Sequence, residues 1–343
     1  MNNLTFVLAV VLSFLGIFVQ ALFSFDNALT QFSFLVLSVV IYLTITRIDL
    51  DFWLKLAKPL TVLGLILLAA LLVIGDPIRG AKRWFVLLGF NLQPSVVFLP
   101  FFLLFIAMML TKNPNRQFKN LFKTLAYILV PVFFVFKQPD LGTAVVLFFS
   151  LASVTYFAGF PWRYYLSLLL AFLPLSAFSL RFLKTYQIQR LTSFISPQYD
   201  PSGINYNSLQ SVIAIGSGFI FGKGIDKVSQ SKLLFLPEAH TDFAFATFVE
   251  AFGLLGGVLI LGLMFYFLLN LLRQSDQANN SLVCRYYAFG MFSYFFIQTV
   301  FNIGMNLRLL PVVGVPLPFI SYGGSSLLSN FILLSLGHKL KEL

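Results

Sequence analysis

Charge is scarce in this chain. Asp, Glu, Lys and Arg make up 10% of the 343 residues, against roughly a quarter in soluble domains, and acids are rarest, 12 beside 23 bases. So little charge cannot clothe a water-exposed surface, which excludes an ordinary soluble domain. The lone cysteine, Cys284, excludes an internal disulfide, so the loops must be ordered by packing and hydrogen bonds. Histidine occurs twice, and with no second imidazole near it, His240 reads as a hydrogen-bonding partner and not as a metal ligand. No internal repeat or low-complexity tract is present. The first apolar run has neither a basic leader nor a small-residue cleavage pattern, so it is expected to be a span and not a removable signal.

What is abundant is hydrocarbon. Hydrophobic residues make up 59% of the chain, with 43 Phe, and the mean hydropathy is +0.89. A bilayer core of about 30 Å takes roughly 20 apolar residues per helix, and only helices or closed barrels satisfy their backbones in lipid. The runs are long and do not alternate, so the fold class is all-α, a single polytopic membrane domain over 1–343. Ten spans are predicted, at 4–24, 31–47, 53–74, 93–111, 120–137, 141–159, 163–182, 242–270, 285–304 and 323–338. An even number puts both termini on one side, and the short basic loops around Arg47-Lys55-Lys58 and Lys112-Arg116-Lys119-Lys123, with the tail Lys339-Lys341, mark that side as cytoplasmic. On this topology the bases divide almost evenly between the two faces. That many on the outer face, mostly within Gly-, Pro- and Gln-rich motifs, points to a site for a multiply charged anion such as a pyrophosphate, and no nucleic-acid partner is expected.

The segment 183–241, between the seventh and eighth predicted helices, is too long for an idle connector, so a structured, functional outer loop is expected. Within it Asp200-Pro201-Ser202-Gly203 reads as a turn and Tyr206 to Ile215 as an interfacial helix, broken by Gly216-Ser217-Gly218 and Gly222-Lys223-Gly224. Glycines flanking Lys223 would let backbone amides approach an anion, although such a triplet equally makes a plain loop. The loop ends in Leu236-Pro237-Glu238-Ala239-His240-Thr241-Asp242-Phe243. Two carboxylates and an imidazole here meet an apolar helix, where proton-transfer chemistry is expected. By residue type alone Asp242 could as well cap the eighth helix. Asp140, following Pro139, divides between capping and site-shaping roles. Glu250, inside a span, is an acid of a kind ordinarily found paired.

Five motifs together resemble the SEDS glycosyltransferases, the RodA and FtsW group, across nearly the whole chain. They are Gly80-Ala81-Lys82-Arg83-Trp84 with Gln93-Pro94-Ser95; Lys137-Gln138-Pro139-Asp140-Leu141-Gly142-Thr143-Ala144; Gln189-Arg190 followed by Tyr206 to Gly218; Leu236 to Phe243; and Pro311 with Gly314 to Ser326. The second motif and Gly203-Ile204-Asn205-Tyr206-Asn207 look more like the elongation branch, RodA. The resemblance implies polymerisation of lipid II into glycan strands at the outer face of the bacterial cytoplasmic membrane, with Asp242 as base. It further implies Lys82, Arg83, Arg190 and Lys223 as cations for the pyrophosphate, and Glu238 and His240 as tuning or orienting groups. Gln93, Asp140, Gln210, Thr241 and Ser321 would complete the substrate site, with Tyr322 as a further contact. No resident cofactor is implied beyond a divalent cation, Mg or Mn, at the pyrophosphate. A class B penicillin-binding protein, the crosslinking transpeptidase, is the implied partner.

The chain departs from the family where Val96 and Leu99 stand in place of a Glu and a Lys, and where Arg308 replaces a Gly before Leu309-Leu310-Pro311. Three alternatives stay open on sequence: a division polymerase of the FtsW kind, a flippase for lipid II, and a non-catalytic scaffold.

Overall fold

The computed structural model describes residues 4–75, 82–87, 90–179, 204–225, 228, 235–277 and 281–342. The helices are α1 (Leu4–Ala21), α2 (Phe25–Arg47), α3 (Leu50–Ile74), α4 (Pro94–Val97), α5 (Leu99–Lys112), α6 (Phe118–Lys137), α7 (Leu141–Phe157), α8 (Trp162–Ser179), α9 (Ile204–Ser217), α10 (Ala244–Gln277), α11 (Leu282–Asn306) and α12 (Gly324–Lys339). Every predicted span has a helix over it. Six of them, α1, α2, α3, α6, α10 and α11, are long and apolar enough to cross a membrane, and α5 and α7 are shorter apolar helices. The chain is a polytopic all-α membrane protein.

Two features were not expected from sequence. A small antiparallel hairpin, β1 (Phe85–Leu87) and β2 (Phe90–Leu92), pairs Phe85 with Leu92 and Leu87 with Phe90. The predicted span at 93–111 is also broken at Phe98 into α4 and α5. Proline explains the break, because Pro100 has no N–H to offer the Val96 carbonyl four residues earlier. That carbonyl instead accepts the Ser329 hydroxyl at 2.6 Å.

The helices pack as a bundle with α11 against α7, α10 and α5, and with α12 against α2. Tyr287 and Phe295 of α11 and Phe331 of α12 are fully buried, whereas Leu254, Val258 and Phe265 of α10 and Phe133 of α6 are exposed on the bundle surface, as lipid contact requires. At the end away from Asp242, Arg116 holds the loops together. Its guanidinium donates to the carbonyls of Leu110, Asn113 and Ala158 and to the Tyr286 hydroxyl, taking up acceptors that helix C-termini leave over.

At the other end the residues 311–323 form an irregular buried loop, with Val315, Leu317, Phe319 and Ile320 each 2% exposed or less. Backbone of this kind survives at membrane depth only when protein groups satisfy it. Asn302 Nδ2 donates to the Val315 carbonyl at 2.8 Å, Ser321 Oγ accepts from Leu317 N at 2.8 Å, and the Gln31 side chain bonds both the Ser321 carbonyl and Gly323 N. The loop lies so close to α7 that a Cβ on Gly142 would stand 2.3 Å from the Val313 carbonyl.

Candidate active site

The residues just before α10 make a tight turn. Glu238 has φ +54°, a conformation a side chain with a Cβ adopts at a cost, and its carbonyl accepts Thr241 N at 3.1 Å and Phe243 N at 3.2 Å. Thr241 Oγ1 donates to the Glu238 carboxylate at 2.9 Å. Phe243 is buried and anchors the turn, which leaves Asp242 beside it only partly covered.

Asp242 is fixed through its main chain. Its carbonyl accepts Asn302 Nδ2 at 2.9 Å and Asn306 Nδ2 at 3.1 Å, amides one helical turn apart on α11. Asn306 Oδ1 also accepts Ala246 N at 3.1 Å, and the Asn306 carbonyl accepts the Ser211 hydroxyl of α9 at 2.9 Å, so α9, α10 and α11 meet at one side chain. The 311–323 loop closes the other side. Tyr322 N and Gln20 Nε2 both donate to the His240 carbonyl at 3.0 Å, while the imidazole packs edge-on against Phe23 and Tyr322. A Cβ built on Gly314 would lie 3.4 Å from Asp242 Oδ2, which puts the carboxylate against the loop.

Asp140 forms a second acidic centre across that loop. It caps α7, accepting Thr143 N at 3.2 Å; it accepts Gln93 Nε2 at 2.9 Å; and it pairs with Arg83 Nη1 at 3.4 Å. The cap expected from sequence is present, and the same carboxylate also gathers Gln93 and Arg83. Arg83 also stacks over Trp84. Ser325 ties β2 and Gln93 to the start of α12.

Lys223 is placed differently from what its motif suggested. Gly253 interrupts α10 with φ +70° and ψ −167°, which frees backbone groups on both sides, and the 219–224 loop fills the gap. Lys223 N donates to the Glu250 carbonyl and Gly224 N to that of Ala251, both at 3.0 Å, while Leu254 N and Leu255 N donate to the carbonyls of Phe219 and Ile220. The Lys223 ammonium lies 2.9 Å from the fully buried Glu250 carboxylate. The Lys223 and Gly224 amides thus serve α10, and Glu250 has a cation beside it, as an acid inside a span ordinarily does.

The other assignments divide. Ser321 is buried, and its hydroxyl donates to the Thr241 carbonyl at 2.6 Å while accepting Leu317 N, so it braces the site and is not open to substrate. Gln210 is half-buried on α9, with an Oε1 that has no hydrogen-bond partner among the described residues. Lys82 is half-buried beside Arg83. Arg190, and the whole stretch 180–203, lie outside the described residues. Where the family carries a charged pair, Leu99 is core and Val96 half-buried, so packing replaces charge there. Sequence reasoning missed Asn302, Asn306, Gln20 and Gln31; the available signal was a pair of asparagines four apart in an apolar helix, a polar face where none is needed for solubility.

Among the described residues no three His, Cys, Asp or Glu side chains gather where they could hold a metal ion.

Comparison with known proteins agrees with this architecture. The family of cell cycle proteins comprising FtsW, RodA and SpoVE matches residues 1–342. The chain is 37% identical over 308 residues to a probable peptidoglycan glycosyltransferase FtsW of Aliivibrio salmonicida, covering 88% of this chain and 76% of that one. It is 36% identical over 277 residues to the peptidoglycan glycosyltransferase MrdB of Helicobacter pylori, covering 79% and 71%. Among solved structures it is similar to a chain from a study of polymerization and crosslinking by a peptidoglycan synthase complex, with TM-score 0.85, 29% identity and coverage of 98% and 96%. It is also similar to the rod shape determining protein RodA of Thermus thermophilus, with TM-score 0.75, 27% identity and coverage of 99% and 96%.

Proposed function

The chain belongs to the FtsW, RodA and SpoVE family of cell cycle proteins, and from that premise we propose that it is a peptidoglycan glycosyltransferase that polymerises lipid II by a single inverting displacement. The sugar 4-hydroxyl of one chain attacks the anomeric carbon of another, the bond to undecaprenyl pyrophosphate breaks, and an α-linked donor becomes a β-linked product. One base suffices, because only a retaining route needs a second carboxylate as nucleophile. Asp242 takes the hydroxyl proton. The leaving pyrophosphate departs with its own charge and calls for cations more than for an acid; a divalent ion, if carried in with it, would supply further positive charge to the leaving group.

The observation that carries this reading is the Asp242 carboxylate, held by its own main chain between α11 and the 311–323 loop. The site faces outward across the bacterial cytoplasmic membrane, and a class B penicillin-binding protein crosslinks the product. We assign the elongation role on the Lys137 to Ala144 and Gly203 to Asn207 motifs; restoration of rod shape, and not of division, in cells depleted of each polymerase tests that assignment.

The central experiment is polymerisation of lipid II in detergent by the purified chain with its partner. Asp242→Asn should fold normally and lose about 10²-fold or more in rate, the scale of a general base. Near-normal glycan synthesis by that variant would remove Asp242 from the mechanism, and movement of lipid II between vesicle leaflets without any polymer would replace the enzyme by a transporter.

A further inference from the structure

Two cations near the site are already committed to carboxylates, Arg83 to Asp140 and Lys223 to Glu250. Arg308 is not. Its guanidinium makes no ion pair or hydrogen bond among the described residues, and the residue is half-buried. Its backbone is also unusual. α11 ends in a Schellman turn, with Leu309 N donating to the Gly304 carbonyl at 2.7 Å and Arg308 N to that of Met305 at 3.2 Å. This motif places its C′ residue in the left-handed region, where glycine belongs, and here the occupant is Arg308 at φ +60°.

A strained residue that glycine would relieve is retained when the side chain does something there. Arg308 lies two residues beyond Asn306, whose amide holds the Asp242 carbonyl, so it stands at the Asp242 end of α11. Leu307 and Leu309 on either side are exposed at 40% and 69%. A cation between two exposed apolar side chains matches a ligand with a phosphate head and a hydrocarbon tail. We propose that Arg308 binds the pyrophosphate of the lipid-linked sugar donor, with Leu307 and Leu309 against the first isoprene units. This rests on the polymerase reading above and adds to it a binding residue particular to this chain.

The test uses the full chain in a neutral detergent free of phospholipid, with undecaprenyl pyrophosphate as probe, so binding is read without turnover. Arg308→Gly removes strain and cation together: thermal stability should hold or rise while affinity falls about tenfold, Arg308→Lys should keep most of it, and kcat/KM for lipid II should fall by at least the same factor, as for a cation lost from a leaving group that gains charge. A stabilised Arg308→Gly protein with unchanged affinity would overturn the proposal. So would equal competition by phosphatidylglycerol, since Arg308 would then be holding an ordinary headgroup. If the wild type makes no glycan yet Arg308→Gly still weakens binding of the probe, the polymerase reading fails and the binding site stands.

Discussion

The Asp242 carbonyl accepts two side-chain amides, and one of them, Asn302, also holds the Val315 carbonyl. Asn302→Ala leaves Asn306 to hold Asp242 but strands Val315 in a buried loop. An unmet buried acceptor costs about 1–3 kcal/mol, so this variant should melt earlier, and it should also turn over more slowly because Gly314, next to Val315, lies against the Asp242 carboxylate proposed as base. Thermal unfolding together with polymerisation per folded molecule separates these effects; a less stable protein with full turnover would limit Asn302 to holding the loop. At this scale sequence reading singles out Glu238, His240 and Asp242 because they cluster in a chain poor in acids and imidazoles. It could not find Gln20 and Gln31, whose bonds reach partners 220 and 290 residues away, because nothing local marks an amide that works at such separation.

The partners of the Lys223 and Gly224 amides are legible only at the scale of elements. A Gly-Lys-Gly triplet does offer amides and a charge, but their partner was set by Gly253, which looks like any glycine in a span until its conformation opens α10. The break at Phe98 was similarly hidden, although Pro100 announces it once the i−4 carbonyl is considered. The ion pair within the α10 clip has a testable asymmetry. Lys223→Met should destabilise, since it takes a cation away from a buried carboxylate, whereas adding Glu250→Gln should restore part of the loss. Thermal unfolding in detergent reads this directly; a single variant as stable as wild type would mean that Glu250 does not depend on Lys223 for its charge balance.

At the scale of the whole molecule, hydropathy placed a span over each of the six described helices long and apolar enough to cross a membrane, because 20-residue apolar runs have few other solutions in lipid. Orientation rested on the short basic loops alone, as the bases themselves divide almost evenly. With buried Cys284 changed to Ser, single cysteines at exposed Asn91, beside the site, and exposed Lys119, at the far end, test it. An impermeant maleimide on intact spheroplasts should label Asn91→Cys, and Lys119→Cys only after lysis; the reverse pattern would turn the molecule over.

The stitching of 311–323 to Gln31, and of His240 to Gln20, also dictates a timetable. Chains emerge from the ribosome N-terminus first, so α1 and α2 are in the membrane long before their partners exist, the Gln20 amide waiting for His240 and the Gln31 amide for residues 311–323. The pocket around Asp242 is completed only when the final helix has been inserted. A nascent chain halted before Ser321 would therefore hold every span up to α11 and still present unmatched amides to the bilayer, a ready mark by which membrane proteases can tell an unfinished molecule from a finished one.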